Sequence, residues 1–189
     1  ADLALKVAKG GRLKRLMHLS TAYVAGTRKG KILPEELLPP EGPFSNTYEE
    51  TKARAERYLR ERMGEAPITV LRPSIVCGDS VTGRTYNFNV LYFPMKLIHR
   101  GLLRLAPASK STTLDIVPVD YVCDATLALG RTEGAAGKTF HLAAGPDAMP
   151  IGQFTDTVIA FYNRQRAKTD QKPLERTRYV GQWRWWFIK

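Results

Sequence analysis

Cysteine is scarce in this 189-residue chain. Cys77 and Cys123 stand far apart, with no Cys-x-x-Cys or Cys/His ligand spacing, so neither a disulfide framework nor a zinc site is indicated. Both read as small buried hydrophobes. The three histidines, His18, His99 and His141, share no ligand spacing and lie among apolar residues. They read as core or surface histidines, and no metal is expected. Long hydrophobic runs are missing too: the longest, residues 90–98, is interrupted by Pro94 and Lys96, well short of the ~20 residues of a membrane span. The first residues, Ala1-Asp2-Leu3-Ala4, carry no initiator Met and no signal-peptide pattern, and they read like the interior of a helix. The chain is therefore expected to start in mid-protein, in a reducing cytoplasm. No internal repeat, no low-complexity segment and no G-x-G-x-x-G dinucleotide fingerprint occur. What is present is an ordinary globular composition, 43% hydrophobic and 25% charged, which argues against disorder or a collagen-like chain. The length suits one domain, or one domain and a fragment.

The formal net charge is +11, and its position decides what it means. Residues 1–66 carry 13 basic and 9 acidic groups, residues 67–163 carry 8 and 7, and residues 164–189 carry 8 and 2. More than half of the excess thus sits in the last 26 residues, whereas a nucleic-acid binder spreads cations over a folded face. No nucleic-acid partner is expected. Residues 1–163 are read as the folded catalytic and substrate-binding part, and residues 164–189 as a basic aromatic tail or linker. Its Arg164, Arg166 and Lys168 lead on to Trp183, Trp185, Trp186 and Phe187. Such a tail suits an inter-domain contact or, since Trp and Arg favour that boundary, a peripheral membrane contact.

Residues 3–9 read as the last turns of a helix closed by Gly10-Gly11, and residues 16–20 as a short apolar strand. After a proline-rich loop, Asn46 with Glu49 three residues on forms a capping box, predicting a helix over 47–63 that Gly64 ends. Glu50/Arg54 and Glu56/Arg60 are assigned to its exposed side as i,i+4 pairs. Residues 68–71 form a buried-strand pattern ending at Arg72-Pro73. A helix is expected around 89–100, a strand over 114–117, and an Asp120-capped helix to Leu129 closed by Gly130. A strand over 139–142 and a helix over 151–166 complete the pattern. Alternating strands and helices predict an α/β sheet of mainly parallel strands covered on both faces.

Gly137-Lys138-Thr139 resembles the end of a phosphate-binding loop, but Thr132 stands where that pattern needs Gly, and a strand rather than a helix follows. It reads as a turn. More informative is Ser20-Thr21 at a strand end, together with Tyr48 and Lys52 on the capped helix. Four residues apart, Tyr48 and Lys52 project from one helix face, and the ammonium can stabilise the phenolate. That makes the pair a usable acid/base. Thr21, at the carboxyl end of a strand where ligands of open α/β sheets bind, can hydrogen-bond the same substrate oxygen. Tyr-x-x-x-Lys also occurs on ordinary solvated helix faces, so the spacing alone does not decide.

The runs His18-Leu19-Ser20-Thr21-Ala22-Tyr23-Val24-Ala25-Gly26, Tyr48-x-x-x-Lys52, Val70-Leu71-Arg72-Pro73-Ser74-Ile75-Val76-x-Gly78 and Val117-Pro118-Val119-Asp120-Tyr121-Val122 resemble the extended short-chain dehydrogenase/reductase superfamily. Within it, Ser20-Thr21-Ala22-Tyr23-Val24, Gly78-Asp79-Ser80-x-Thr82-Gly83 and Gly137-Lys138-Thr139-Phe140-His141-Leu142 are similar to the fatty acyl-CoA reductase and thioester reductase branch, also called male-sterility-like. The resemblance covers about residues 1–160. It implies an incomplete Rossmann-like, doubly wound, mainly parallel sheet whose nucleotide-binding half precedes Ala1, plus a small substrate-binding portion. It further implies that Thr21 orients the substrate carbonyl, Tyr48 donates a proton, and Lys52 tunes Tyr48 and holds the nicotinamide ribose. Arg72, Pro73, Ser74, Ile75 and Val76 would line the nicotinamide pocket. The implied activity, in the intact protein, is reduction of a fatty acyl thioester by NAD(P)H, with NADPH favoured, to aldehyde or alcohol; the present piece alone is expected to be inactive. Two alternatives stand beside it. One is a sugar-nucleotide epimerase/dehydratase or hydroxysteroid-type dehydrogenase of the same superfamily, and the other is a non-catalytic module binding an anionic surface or nucleic acid.

Overall fold

The computed structural model describes residues 2–10, 13–88 and 90–180. In chain order, α1 (Asp2–Lys9), β1 (Leu16–Leu19), α2 (Thr47–Arg60), β2 (Ile68–Pro73), β3 (Ile75–Cys77) and α3 (Tyr92–His99) come first. There follow β4 (Leu105–Ala106), β5 (Thr113–Leu114), β6 (Ile116–Pro118), α4 (Val119–Arg131), β7 (Thr139–Leu142), β8 (Met149–Pro150), α5 (Ile151–Ala167) and β9 (Arg178–Tyr179). The chain forms two units, residues 1–82 with 117–144, and residues 83–116 with 145–189.

The first unit is built on a parallel sheet in the order β1-β2-β7. Leu16 to Leu19 run beside Ile68 to Leu71, and Val70 to Pro73 run beside Thr139 to Leu142. All six residues of β2 are buried, as a strand between two parallel neighbours and two layers of helix must be. Side chains of β2 alternate between faces. Ile68 and Val70 pack with Leu5 and Leu59 beneath α1 and α2, whereas Leu71 packs with Val117, Val122 and Leu142 towards α4. Each of these fully buried aliphatic side chains stabilises the fold by roughly 1.5–3 kcal/mol. The same alternation turns Arg72 to the face of Ile68 and Val70, where α2 lies. Strand β3 pairs with β6.

The second unit pairs β4 with β9 in parallel and β5 with β8 antiparallel. Helices α3 and α5 pack through Ile98, Val158 and Ile159, with Met95, Phe154 and Tyr162 around them. An apolar cleft of about 560 Å³ opens on this unit between Phe88, Tyr92, Phe93 and Tyr162. The position between residues 163 and 164 falls inside α5, and residues 164–180 fold with this unit. Trp183, Trp185, Trp186 and Phe187 of the expected tail lie outside the described residues.

Several expectations need correction. The predicted strand over 114–117 is broken at Asp115, whose carboxylate accepts from the backbone N of Gly145 at 2.9 Å. Asp120 does not cap α4. Its carboxylate accepts instead from Ser80, backbone N at 2.9 Å and Oγ at 2.6 Å, and the helix runs past Gly130 to Arg131. Glu56, assigned to the exposed side of α2, has no exposed surface at all. Cys77 is half-buried and Cys123 exposed, because Cys123 sits on the outer side of α4. Among the described residues no helix is long and apolar enough to cross a membrane.

Candidate active site

Helix α2 is held at its start by the predicted box. Asn46 Oδ1 accepts from the backbone N of Glu49 at 3.0 Å, while the Glu49 carboxylate accepts from the backbone N of Ser45 at 2.8 Å and from Asn46 Nδ2 at 3.1 Å. Tyr48 therefore sits in the first turn of a fixed helix, half-exposed at 55%. One turn later Lys52 is half-buried and donates through Nζ to the backbone carbonyl of Leu19 at 2.7 Å. That carbonyl ends β1, two residues before Thr21.

Thr21 is buried in extended backbone, and its Oγ1 accepts from the backbone N of Tyr23 at 3.3 Å, opening a single 3-10 turn over Ala22–Ala25. Helix α2 packs against this turn. Gly26 closes it at φ +60°, where a Cβ would stand 2.6 Å from both Leu38 Cδ1 and the Pro43 carbonyl oxygen, so only glycine fits. The strand end, the turn and the first two turns of α2 thus form one piece of architecture.

Ser20 is bonded from its backbone N to the Leu71 carbonyl at 2.7 Å, which carries the β1-β2 ladder one residue beyond the strand. By register Thr21 lies beside Pro73, at the carboxyl end of the sheet. Here Ser74 donates its backbone N to the Leu142 carbonyl at 3.0 Å, and its Oγ is buried with no hydrogen-bond partner among the described residues. Pro73 is buried in β2, Ile75 and Val76 are half-buried, and Val76 packs against the Leu71 cluster. Arg72 is different. Its guanidinium, 1% exposed, turns inward to Glu56, to the Glu36 carbonyl and to His141, so the side chain supports the segment from below.

Burial holds the Lys52 ammonium below its usual range, and the Glu56 carboxylate opposes that shift. Burial also lowers His18, with the Lys52 charge adding to it, and lowers His141, with Arg72 adding to it. A neutral imidazole at His141 can accept from Arg72 Nη1 across their 3.2 Å separation. The structure thus brings Thr21 and Lys52 to one strand end, with Tyr48 one helical turn before Lys52 on α2, and Ser74 to the neighbouring strand end. The missed residue is Glu56. A carboxylate four places beyond Lys52, matched to an arginine in an otherwise apolar strand, is the signal that could have found it.

A family model described as "Male sterility protein", an NAD-binding family, matches residues 1–126. The chain belongs to this family. Relatives of this chain include Fatty acyl-CoA reductase 1 of Xenopus laevis, 30% identical over 161 residues, covering 70% of this chain and 30% of that protein. A non-canonical nonribosomal peptide synthetase of Aspergillus campestris is 27% identical over 161 residues, covering 80% of this chain and 15% of that protein. Among solved structures, the terminal R domain of the myxalamid PKS-NRPS pathway superposes with a TM-score of 0.67 at 33% identity, covering 79% of this chain and 38% of that one. The chain therefore spans less than two fifths of each of these relatives. A dTDP-glucose 4,6-dehydratase from Bacillus anthracis, at 18% identity and TM-score 0.66, shares the Rossmann-type fold and is itself in complex with NAD.

Proposed function

We propose that this chain supplies the carbonyl-facing groups of a nicotinamide-dependent reductase of fatty acyl thioesters, bound to coenzyme A or to a carrier. One observation carries the reading: α2 presents the phenol of Tyr48 one turn from an ammonium clasped to the last carbonyl of β1, two residues before Thr21. The acyl-CoA and peptide-synthetase relatives favour the thioester as substrate class.

Two features fit the nicotinamide end of the cofactor. Ser74 Oγ is an orphaned buried hydroxyl just past the end of β2, and Lys52 Nζ has two further hydrogens beyond the one given to Leu19. Lys52 would hold the ribose, and residues 72–76 would line the ring, with Arg72 acting through its backbone. No G-x-G-x-x-G occurs in the sequence, so the fit is to that end alone. When bound, NAD(P)H, with NADPH favoured by the family resemblance, supplies hydride to the acyl carbon. The hydroxyls of Thr21 and Tyr48 hydrogen-bond the carbonyl oxygen and stabilise the negative charge that develops there. Breaking of the C–S bond, with a proton taken up by the thiolate, leaves an aldehyde. In reduction of that aldehyde to the alcohol, Tyr48 gives its proton to the oxygen, and the Lys52 ammonium stabilises the phenolate left behind.

Incubation of the intact, active protein with NADPH and, separately, an acyl-CoA, a UDP-sugar and a sterol, followed by mass spectrometry, tests the reading. Aldehyde or alcohol from the acyl-CoA alone is expected. A product from the sugar nucleotide or the sterol, with none from the thioester, would overturn it.

A further inference from the structure

The Glu56 side chain has no exposed surface, and an ion removed from water must be answered by charge and hydrogen bonds. Three side chains answer it. Arg72 donates from Nη2 at 2.6 Å and from Nε at 3.0 and 3.1 Å to the two carboxylate oxygens, Arg60 Nη1 stands at 3.4 Å, and Ser20 Oγ donates at 2.6 Å. The last bond matters most for the site, because Ser20 lies between Leu19, whose carbonyl Lys52 holds, and Thr21. Lys52 and Glu56 are one turn apart on one face of α2. Their side chains grip two consecutive residues of the same strand end.

We propose that Glu56 is a positioning residue: through Ser20 it fixes where Thr21 stands at the end of β1, and one turn along the same face of α2 it serves as the counter-charge of the half-buried Lys52. The positioning part rests on the reductase reading, and the charge part stands without it. Glu56 is the charged neighbour that raises Lys52 against the lowering by burial. Other charged or titratable groups near this cluster are Tyr48 and Arg60 from α2, His18 from β1, Arg72 from β2 and His141 from β7, with Glu35 acting on His141 from the loop. Neutralising Glu56 therefore removes the charge that opposes the burial of Lys52.

Trace acetylation of the folded protein across a pH series, with peptide mass spectrometry, reads the protonation of each lysine directly. In Glu56→Gln, Lys52 should react several-fold faster than in the wild type at mildly alkaline pH, while Lys138 and the control Glu50→Gln stay unchanged. Because Glu56→Gln strands Arg72, the paired Glu56→Gln/Arg72→Gln variant is measured as well, with the same shift expected. An unmoved Lys52 profile in either folded variant would overturn the charge role. In the active protein, Ser20→Ala should lower kcat about tenfold with KM for NADPH unchanged, as a small misplacement of a reacting group does. Unchanged kcat would overturn the positioning role. A shifted Lys52 in a protein whose carbonyl reduction ignores Tyr48→Phe would sink the reductase reading alone. An unmoved Lys52 in a Tyr48-dependent reductase would sink this proposal alone.

Discussion

Arg72 and Glu56 are 1% and 0% exposed, and their contact at 2.6 Å joins β2 to α2 in the heart of the first unit. Removing one partner leaves an uncompensated charge without water, so Arg72→Met should cost about 3–5 kcal/mol in urea denaturation. Replacing both, as Glu56→Leu/Arg72→Met, should recover most of that loss, since an apolar pair of similar volume tolerates the same burial. The histidines add a dependence on pH. Burial lowers both His18 and His141 from 6.5, so the unfolded chain binds these protons more readily than the folded one. Stability is therefore highest above 6.5 and falls as the pH drops through the window below it. The urea midpoint should show that fall, and His18→Phe should flatten it. An unchanged slope would contradict the stated environment of His18.

At the scale of elements, the box at the start of α2 is both a stabilising device and the anchor of Tyr48. Asn46→Ala should cost about 1 kcal/mol, measured by thermal unfolding, and should lower carbonyl reduction further than the lost stability explains. Local chemistry made this helix legible: Asn46 and Glu49 are three residues apart, and a side chain reaches that far. The same holds for β2, whose apolar run ends at a proline, and for the turn at Gly134 and Gly137, both of which adopt positive φ. Asp120 was misread because its partner, Ser80, is brought to it by the loop after β3, 40 residues away in sequence. Glu56 was misread for the same reason. Its i,i+4 partner Arg60 is real at 3.4 Å, but the tighter contact comes from a strand that spacing along one helix cannot reveal. Tyr48 and Lys52 lie one turn apart on α2, as their spacing predicts. That Lys52 would seize the Leu19 carbonyl depends on how α2 lies across β1, which is a tertiary fact.

For the molecule as a whole, the proposed function engages one end of a dinucleotide. On that reading Lys52 and Ser74 would offer donors to a nicotinamide ribose, while residues 1–189 contain no G-x-G-x-x-G for the diphosphate. Calorimetric titration of this chain should accordingly find NADPH and reduced nicotinamide mononucleotide binding with the same weak affinity. A large preference for the full dinucleotide would show a second binding surface. The central claim, that the Tyr48 phenol is the proton donor at the end of β1, is tested most directly by Tyr48→Phe in the active protein. Turnover of an aldehyde with NADPH would be followed through the cofactor's absorbance. Loss of general-acid catalysis should lower kcat by about 10²–10⁴-fold with cofactor affinity unchanged, whereas near-normal turnover would contradict the account.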